Sequence, residues 1–391
     1  MKNTSSRRSF LAAGLVLPAT AMASTTRSTL IEPQVPKSSA PKAGGLSYRV
    51  LGKTGMKVTS VGFGCMITSD QSVVEKAADL GITYFDTARG YQQGNNERMV
   101  GAALKSKRNS ITLSSKTGAQ TKQEALAHLD KSLTELGTDH LDIWYLHGKG
   151  KASDLTDELI DAQAQARKAG KIRFAGVSMH GGHADVIPAM IAKKDHFDVV
   201  LASYNFSMEP SVTPLLESAA KAGLGIVAMK VMAGGFRRTK AGDKLYETLK
   251  REGAMLAALK WVLKNSNVHT TIPSMTDMEQ LDENLKAMTV PFGSGDEKVL
   301  AAQLEYIRPL YCRSCGQCTG VCPSGLPVSD MLRFLSYAEG YGEYSLAREQ
   351  FLDLPAKVQQ VRCNLCPTCT INCPNGVRVA ERLSRAQEIF A

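Results

Sequence analysis

A run of about 18 apolar residues, the least that a membrane span needs, is missing from this sequence of 391 residues. No permanent membrane span is therefore expected. Missing too is any stripe of Lys and Arg interleaved with aromatics, so nucleic acid is not an expected partner, despite a net charge of +10. Cysteine is almost absent from the first 311 residues, where Cys65 stands alone, while eight of the nine lie between Cys312 and Cys373. Such crowding suits something other than disulfides spread through a fold.

Acidic residues are lacking from the first 23 positions. Lys2, Arg7 and Arg8, the last two within SRRSFL, precede the apolar run LAAGLVLPATAMA, and Ala21-Met22-Ala23 offers an A-x-A cleavage site. Residues 1–23 read as a twin-arginine signal peptide. That reading makes the twin-arginine export machinery a partner and the periplasm the destination. Without the three leader cations the net charge falls to +7. Residues 24–45, rich in Ser, Thr and Pro, read as a flexible linker.

From Leu46 onward one unit repeats: a short apolar, β-branched run, then an amphipathic stretch. The strand candidates are SVGFGCM, TYFDTA, ITLSSKT, LDIWYLH, IRFAGVS, DVVLASY, GIVAMKV and HTTIPS. Between them, apolar residues recur at i, i+3 and i+4, and Gly81, Gly137, Gly170 and Gly223 stand where a helix end favours a left-handed residue. Eight alternating β and α segments predict an α/β fold, a (β/α)8 TIM barrel over residues 46–292. An open dinucleotide-binding sheet would want G-x-G-x-x-G after its first strand, and VGFGCM lacks it. Active sites of such barrels lie at the C-terminal ends of the strands. There Asp86 ends the second strand, Lys116 the third and His147 the fourth, with Tyr91 in the loop after the second.

On these residues the sequence resembles the aldo-keto reductases. YRVLGKTGMKVTSVGFGCM is similar to the family's bottom-sealing hairpin and first strand. FDTARGYQQGNNERMVGAAL is similar to its signature, and Lys116 in SSKTG and His147 in WYLHG match the other two catalytic positions. Reducing a carbonyl leaves an alkoxide that must be protonated as it forms. Tyr91 is the expected proton donor, its pKa lowered by Lys116, which Asp86 keeps charged; His147 is expected to orient the carbonyl oxygen. The resemblance implies a small carbonyl or alcohol substrate and a nicotinamide cofactor, NAD(P). It places Ser178 at the carboxamide, Ser274 at the 2′-phosphate position, and Glu283 and Asn284 at the adenine. The family's other nicotinamide contacts fall on Met179, Leu201 and Met229. Its 2′-phosphate cations fall on Ser274 and Gln280, with Asp277 close by, and Lys230 is the cation that could compensate.

YCRSCGQCTGVCPSG and CNLCPTCTINCPNG both read C-x2-C-x2-C-x3-C-P: Cys312, Cys315, Cys318 and Cys322, then Cys363, Cys366, Cys369 and Cys373. That spacing fits cubane iron-sulfur clusters better than zinc or disulfides. Two [4Fe-4S] clusters are expected in a small, α-helical, ferredoxin-like C-terminal domain, residues 293–391. The fourth Cys of each run would ligate the other cluster, as in two-cluster ferredoxins. This short segment has few large apolar residues, so its folding is expected to depend on metal. Clusters assembled in the cytoplasm cannot be threaded through a pore, which gives the twin-arginine leader its physical sense.

The sequence thus predicts an exported carbonyl–alcohol oxidoreductase with clusters for electron transfer and a possible redox protein partner. Hydride carries two electrons and a cluster accepts one, yet no flavin motif is visible. A second reading is an electron-transfer or redox-sensing protein whose barrel binds nucleotide without turnover. The departures at the nicotinamide contacts favour that second reading, and the complete tetrad opposes it.

Overall fold

The computed structural model describes residues 45–208, 210–234, 253–363, 366 and 369–390. The expected signal peptide, and all of the linker but Gly45, lie outside the described residues. A hairpin of β1 (Tyr48–Val50) and β2 (Lys57–Thr59) opens the fold. Eight parallel strands follow in sequence order: β3 (Phe63–Gly64), β4 (Tyr84–Asp86), β5 (Thr112–Thr117), β6 (Leu141–Leu146), β7 (Ile172–Met179), β8 (Val199–Ser203), β9 (Gly225–Met229) and β10 (Thr270–Thr271). Each falls within one of the eight runs read from the sequence, except that β7 extends one residue beyond IRFAGVS to Met179. A parallel bridge between Val61 and Thr271 brings the first strand to the last, and the Gly62 and Gly64 amides donate to the carbonyls of Thr271 (2.7 Å) and Pro273 (3.0 Å). The sheet therefore closes as a (β/α)8 barrel.

Alternation along the strands produces two apolar layers. Inward residues Tyr84, Ile143, Tyr145, Val199, Leu201 and Val227 fill the barrel, and Leu51, Met56 and Val58 of the hairpin join them from below. Outward residues such as Phe85, Trp144, Val200 and Ile226 meet the helices. The hairpin lies so close to the sheet that a Cβ on Gly52 would stand 2.4 Å from the Gly225 amide nitrogen. Helices start where the sequence supplies caps: Asp70, Thr121 and Thr156 each accept from a backbone N–H two or three residues on. Gly137 closes the helix Lys122–Leu136 in the left-handed region at φ 62°.

Beyond the barrel, Ser294–Ile307 packs on Ala254–Lys264, where Lys260 Nζ contacts both Asp296 oxygens at 2.8 and 2.6 Å. The C-terminal segment differs from the sequence expectation. The helices Val328–Leu335, Tyr344–Leu352 and Val379–Phe390 enclose an apolar core of their own, including Met331, Leu335, Phe351, Leu383 and Phe390. Its apolar residues were easy to underrate because they sit between and after the cysteine runs, on single faces of short helices.

Candidate active site and cysteine loops

At the C-terminal end of the strands Lys116, Asp86 and Tyr91 are all buried, at 1%, 2% and 8% exposure. The Lys116 ammonium is paired with Asp86 Oδ2, donates to the Thr87 carbonyl at 2.7 Å and reaches Tyr91 Oη at 3.3 Å. Asp86 Oδ1 accepts from Ser114 Oγ at 2.7 Å. The Tyr91 and His147 rings meet edge to face with centroids 5.9 Å apart. All four predicted side chains are brought together.

The loop that presents Tyr91 is strained and braced. Gln92 and Gln93 both hold positive φ, 50° and 55°, an unfavourable state for residues with a Cβ. Asn96 holds the turn from behind: its Nδ2 donates to the carbonyls of Cys65 (2.7 Å) and Thr68 (3.2 Å), and its Oδ1 accepts from Thr87 Oγ1 (2.6 Å). Cys65 is fully buried beside it.

The electrostatics depart from expectation in one respect. Burial, then the Asp86 charge, pushes the Tyr91 phenol well above its usual value, so it is not lowered by Lys116. A phenolate would be desolvated here, and the lysine's charge is already spent on Asp86. Burial, reinforced by Lys116, Arg333, Lys230 and Lys149, holds His147 well below its usual value, so its ring is neutral.

Two cavities meet at Tyr91. One, ≈ 310 Å³, runs past Met229, Ser274, Asp277, Gln280 and Glu283, which are positions the sequence assigned to a nicotinamide cofactor. Gln280 is folded onto its own turn, donating to Thr276 Oγ1 at 2.9 Å, and Asp277 caps the helix Met278–Lys286. Asn284 is fully buried with neither amide atom partnered among the described residues, and Gln303 Nε2, on the cavity wall, is likewise unpartnered. Gln303 thus presents an unsatisfied donor to the cavity, which calls for a polar ligand, whereas Asn284 lies behind the lining. Ser178 lines neither cavity: its Oγ accepts from the Gly148 amide at 2.9 Å. Leu201 lies in the barrel core.

The other cavity, ≈ 400 Å³, lies in front of Tyr91 and His147, and part of its wall comes from the C-terminal segment: Ser314, Ser329, Arg333, Tyr337 and Gln350. Sequence reading missed these residues, along with Lys149 and His180. The one signal for them was Arg333, the sole cation on the helix Val328–Leu335, amid Met331, Leu332, Phe334 and Leu335. Lys230 lines both cavities.

The cysteine runs are crossed. Cys318 lies in the electrostatic field of Cys373, Cys312 and Cys315, whereas Cys363 lies in that of Cys322, Cys369 and Cys366. A bridge between Thr319 and Asn372, with two N–H···O bonds of 3.0 Å, ties the runs together. Asn375 Nδ2 donates to Cys315 Sγ, and the Ser314 amide to Cys312 Sγ, both at 3.4 Å. Soft thiol donors in two groups of four, with N–H donors aimed at sulfur, suit iron-sulfur clusters. Among the described residues no three His, Cys, Asp or Glu side chains converge on one metal ion.

Residues 311–378 match the 4Fe-4S dicluster domain and residues 67–301 the Aldo/keto reductase family. The chain is 28% identical to an uncharacterized oxidoreductase, YqkF, of Bacillus subtilis, over 61% of this chain and 90% of that one. It is 24% identical to L-galactose dehydrogenase of Arabidopsis thaliana, over 67% and 94%. Its fold is similar to the holo form of aldo-keto reductase AKR11C1 from Bacillus halodurans, with a TM-score of 0.57 and 24% identity over 66% of this chain and 96% of that one. With its closed barrel and more than half its length matched, the chain belongs to the aldo/keto reductase family of oxidoreductases, extended by a C-terminal 4Fe-4S dicluster domain.

Proposed function

We propose that this protein interconverts a carbonyl and an alcohol with a nicotinamide cofactor and that its eight crossed cysteines hold two [4Fe-4S] clusters for electron transfer. The observation that carries the reading is the buried Asp86–Lys116–Tyr91 chain facing a neutral His147 where the two cavities meet. A bound nicotinamide supplies or accepts the hydride. The protein's residues handle the proton. Tyr91 Oη gives its hydrogen to the carbonyl oxygen, and Lys116, positioned by its pairing with Asp86, steadies the phenolate left behind. His147 donates an N–H to the same oxygen and orients it. A phenol pushed upward by burial is fully protonated at neutral pH, which suits reduction.

The adenosine end is assigned to Ser274 and Glu283, with Gln303, which line the first cavity, and to Asn284, next to Glu283 on the same helix. Among the described residues lining that cavity Lys230 is the lone cation, against Asp277, Glu279 and Glu283. A dianionic 2′-phosphate would lose charge-assisted bonds there and meet carboxylates. NADH is therefore expected to bind at least as tightly as NADPH and to be consumed with small aldehydes. A clear NADPH preference in fluorescence titration would overturn the cofactor assignment. Absence of turnover with either cofactor would favour the second reading, a nucleotide-binding redox protein, to which Leu201 and Met229 at the family's nicotinamide contacts lend support.

Export in the folded state to the periplasm completes the proposal, on the strength of SRRSFL and the cluster cysteines together. Arg7→Lys combined with Arg8→Lys is expected to leave iron-loaded protein in the cytoplasm. Unchanged periplasmic iron-loaded protein in fractionated cells would refute the route.

A further inference from the structure

The charges around the ≈ 400 Å³ cavity do not balance. Asp86 is committed to Lys116, and Asp330 Oδ1 to Arg333 Nη2 at 2.8 Å. Lys149 and Lys230 line the same cavity. Neither has a carboxylate within 4.0 Å among the described residues. The excess positive charge is felt throughout the site, since burial and then these cations hold His147 and His180 neutral. His180 Nδ1 is buried and unpartnered.

Two of the cations converge from opposite walls. Lys230 leaves the end of β9 with φ 56°, a strained conformation for a side-chain-bearing residue, and its Nζ stands 4.3 Å from the Tyr337 ring centroid. Arg333, from the helix Val328–Leu335, sets Nη1 3.4 Å from Tyr337 Oη and 3.3 Å from Gln350 Oε1. Both contacts are long for N–H···O bonds, so one edge of the guanidinium is poorly satisfied. Between the two cations stands a phenol: burial pushes Tyr337 up, yet Lys230 and Arg333 outweigh it. A neutral phenol is a weak acceptor for two cations, whereas a carboxylate satisfies both and matches the planar fork of arginine.

We propose that Arg333 and Lys230 form an anion subsite beside Tyr91 and His147, and that the substrate is a small carbonyl compound bearing a carboxylate. The dicluster domain then supplies part of the substrate pocket itself. The carboxylate lies between the cations while the carbonyl reaches Tyr91 and His147. An apolar cavity of about 150 Å³ already holds a benzene, so a substituted aromatic aldehyde is a usable probe. This inference rests on the carbonyl–alcohol reading, and the test separates the two.

In the iron-loaded full chain, kcat/KM is measured with 4-carboxybenzaldehyde and 4-methylbenzaldehyde, and benzoate binding is followed by calorimetry without cofactor. The wild-type protein is expected to favour the carboxylate aldehyde at least about tenfold, on the scale of a charge-assisted bond. Arg333→Leu should collapse that ratio, chiefly through KM, and weaken benzoate by about the same factor, with Arg333→Lys restoring part. Visible cluster absorbance reports whether the variants are folded. If Arg333→Leu does not accumulate, Lys230→Gln makes the same test. A ratio unchanged by both substitutions, or a wild-type preference for the methyl compound, overturns the subsite while leaving the reaction intact. Arg333-dependent benzoate binding without turnover of either aldehyde upholds the subsite and overturns the reaction. Inorganic phosphate binding more tightly than benzoate overturns the carboxylate assignment.

Discussion

Tyr91→Phe is expected to lower kcat for carbonyl reduction by at least about a hundredfold, the usual scale of a lost general acid, equivalent to about 2.7 kcal/mol of transition-state stabilisation. The phenyl ring keeps its edge-to-face contact with His147, so fold and cofactor affinity are expected to survive; only the Oη that receives Lys116 is removed. The pH profile supplies a second readout. His147, held well below its usual value, is neutral from about pH 6.5 upward, and Tyr91, pushed well above its own, stays protonated to beyond about pH 10. Wild-type reduction should therefore be flat between those limits at saturating substrate. Wild-type turnover in Tyr91→Phe, or a wild-type profile that falls near neutrality, would remove Tyr91 from the proton-donor role.

The second large effect concerns the cysteines. Because Cys322 lies with Cys363, Cys366 and Cys369, Cys322→Ala should abolish the spin-resonance signal that Cys363→Ala abolishes. Cys315→Ala should abolish the other, each change costing about half the iron if four thiolates serve each cluster. The helices should persist in every variant, since their core is built chiefly of Met331, Leu335, Phe351, Leu383 and Phe390, with Cys312, Cys363 and Cys373 only packed against its edge. If Cys322→Ala and Cys315→Ala lose the same signal, the runs are not crossed.

The barrel was legible in the sequence because each of its strands is a short β-branched run and each intervening segment has a helical period. The tetrad was legible because three of its members end successive strands. The wall facing them was not. Arg333 and Tyr337 sit some 190 residues beyond His147 in the chain, and no periodicity indicates which surface a short helix will cover. The direction of the Tyr91 shift was hidden for a related reason: sequence shows the neighbouring lysine but not the depth of burial. The apolar core of the C-terminal helices escaped notice because paired cysteine motifs draw attention to metal as the stabilising agent.

The bridge between Thr319 and Asn372 has a consequence for the order in which the protein is made. Domains form as the chain emerges from the ribosome, the N-terminal part first. The barrel, complete by Thr271, can close with Asp86, Tyr91, Lys116 and His147 assembled while more than a hundred residues are still to be synthesised. Ser314, Arg333 and Tyr337 then leave the ribosome, but Asn372, the bridge partner of Thr319 that ties the Ser314 loop down, comes almost last. A chain stopped anywhere between Leu335 and Asn372 would carry a finished catalytic rim and an unfinished substrate wall. Competence therefore arrives only once Asn372 has been made.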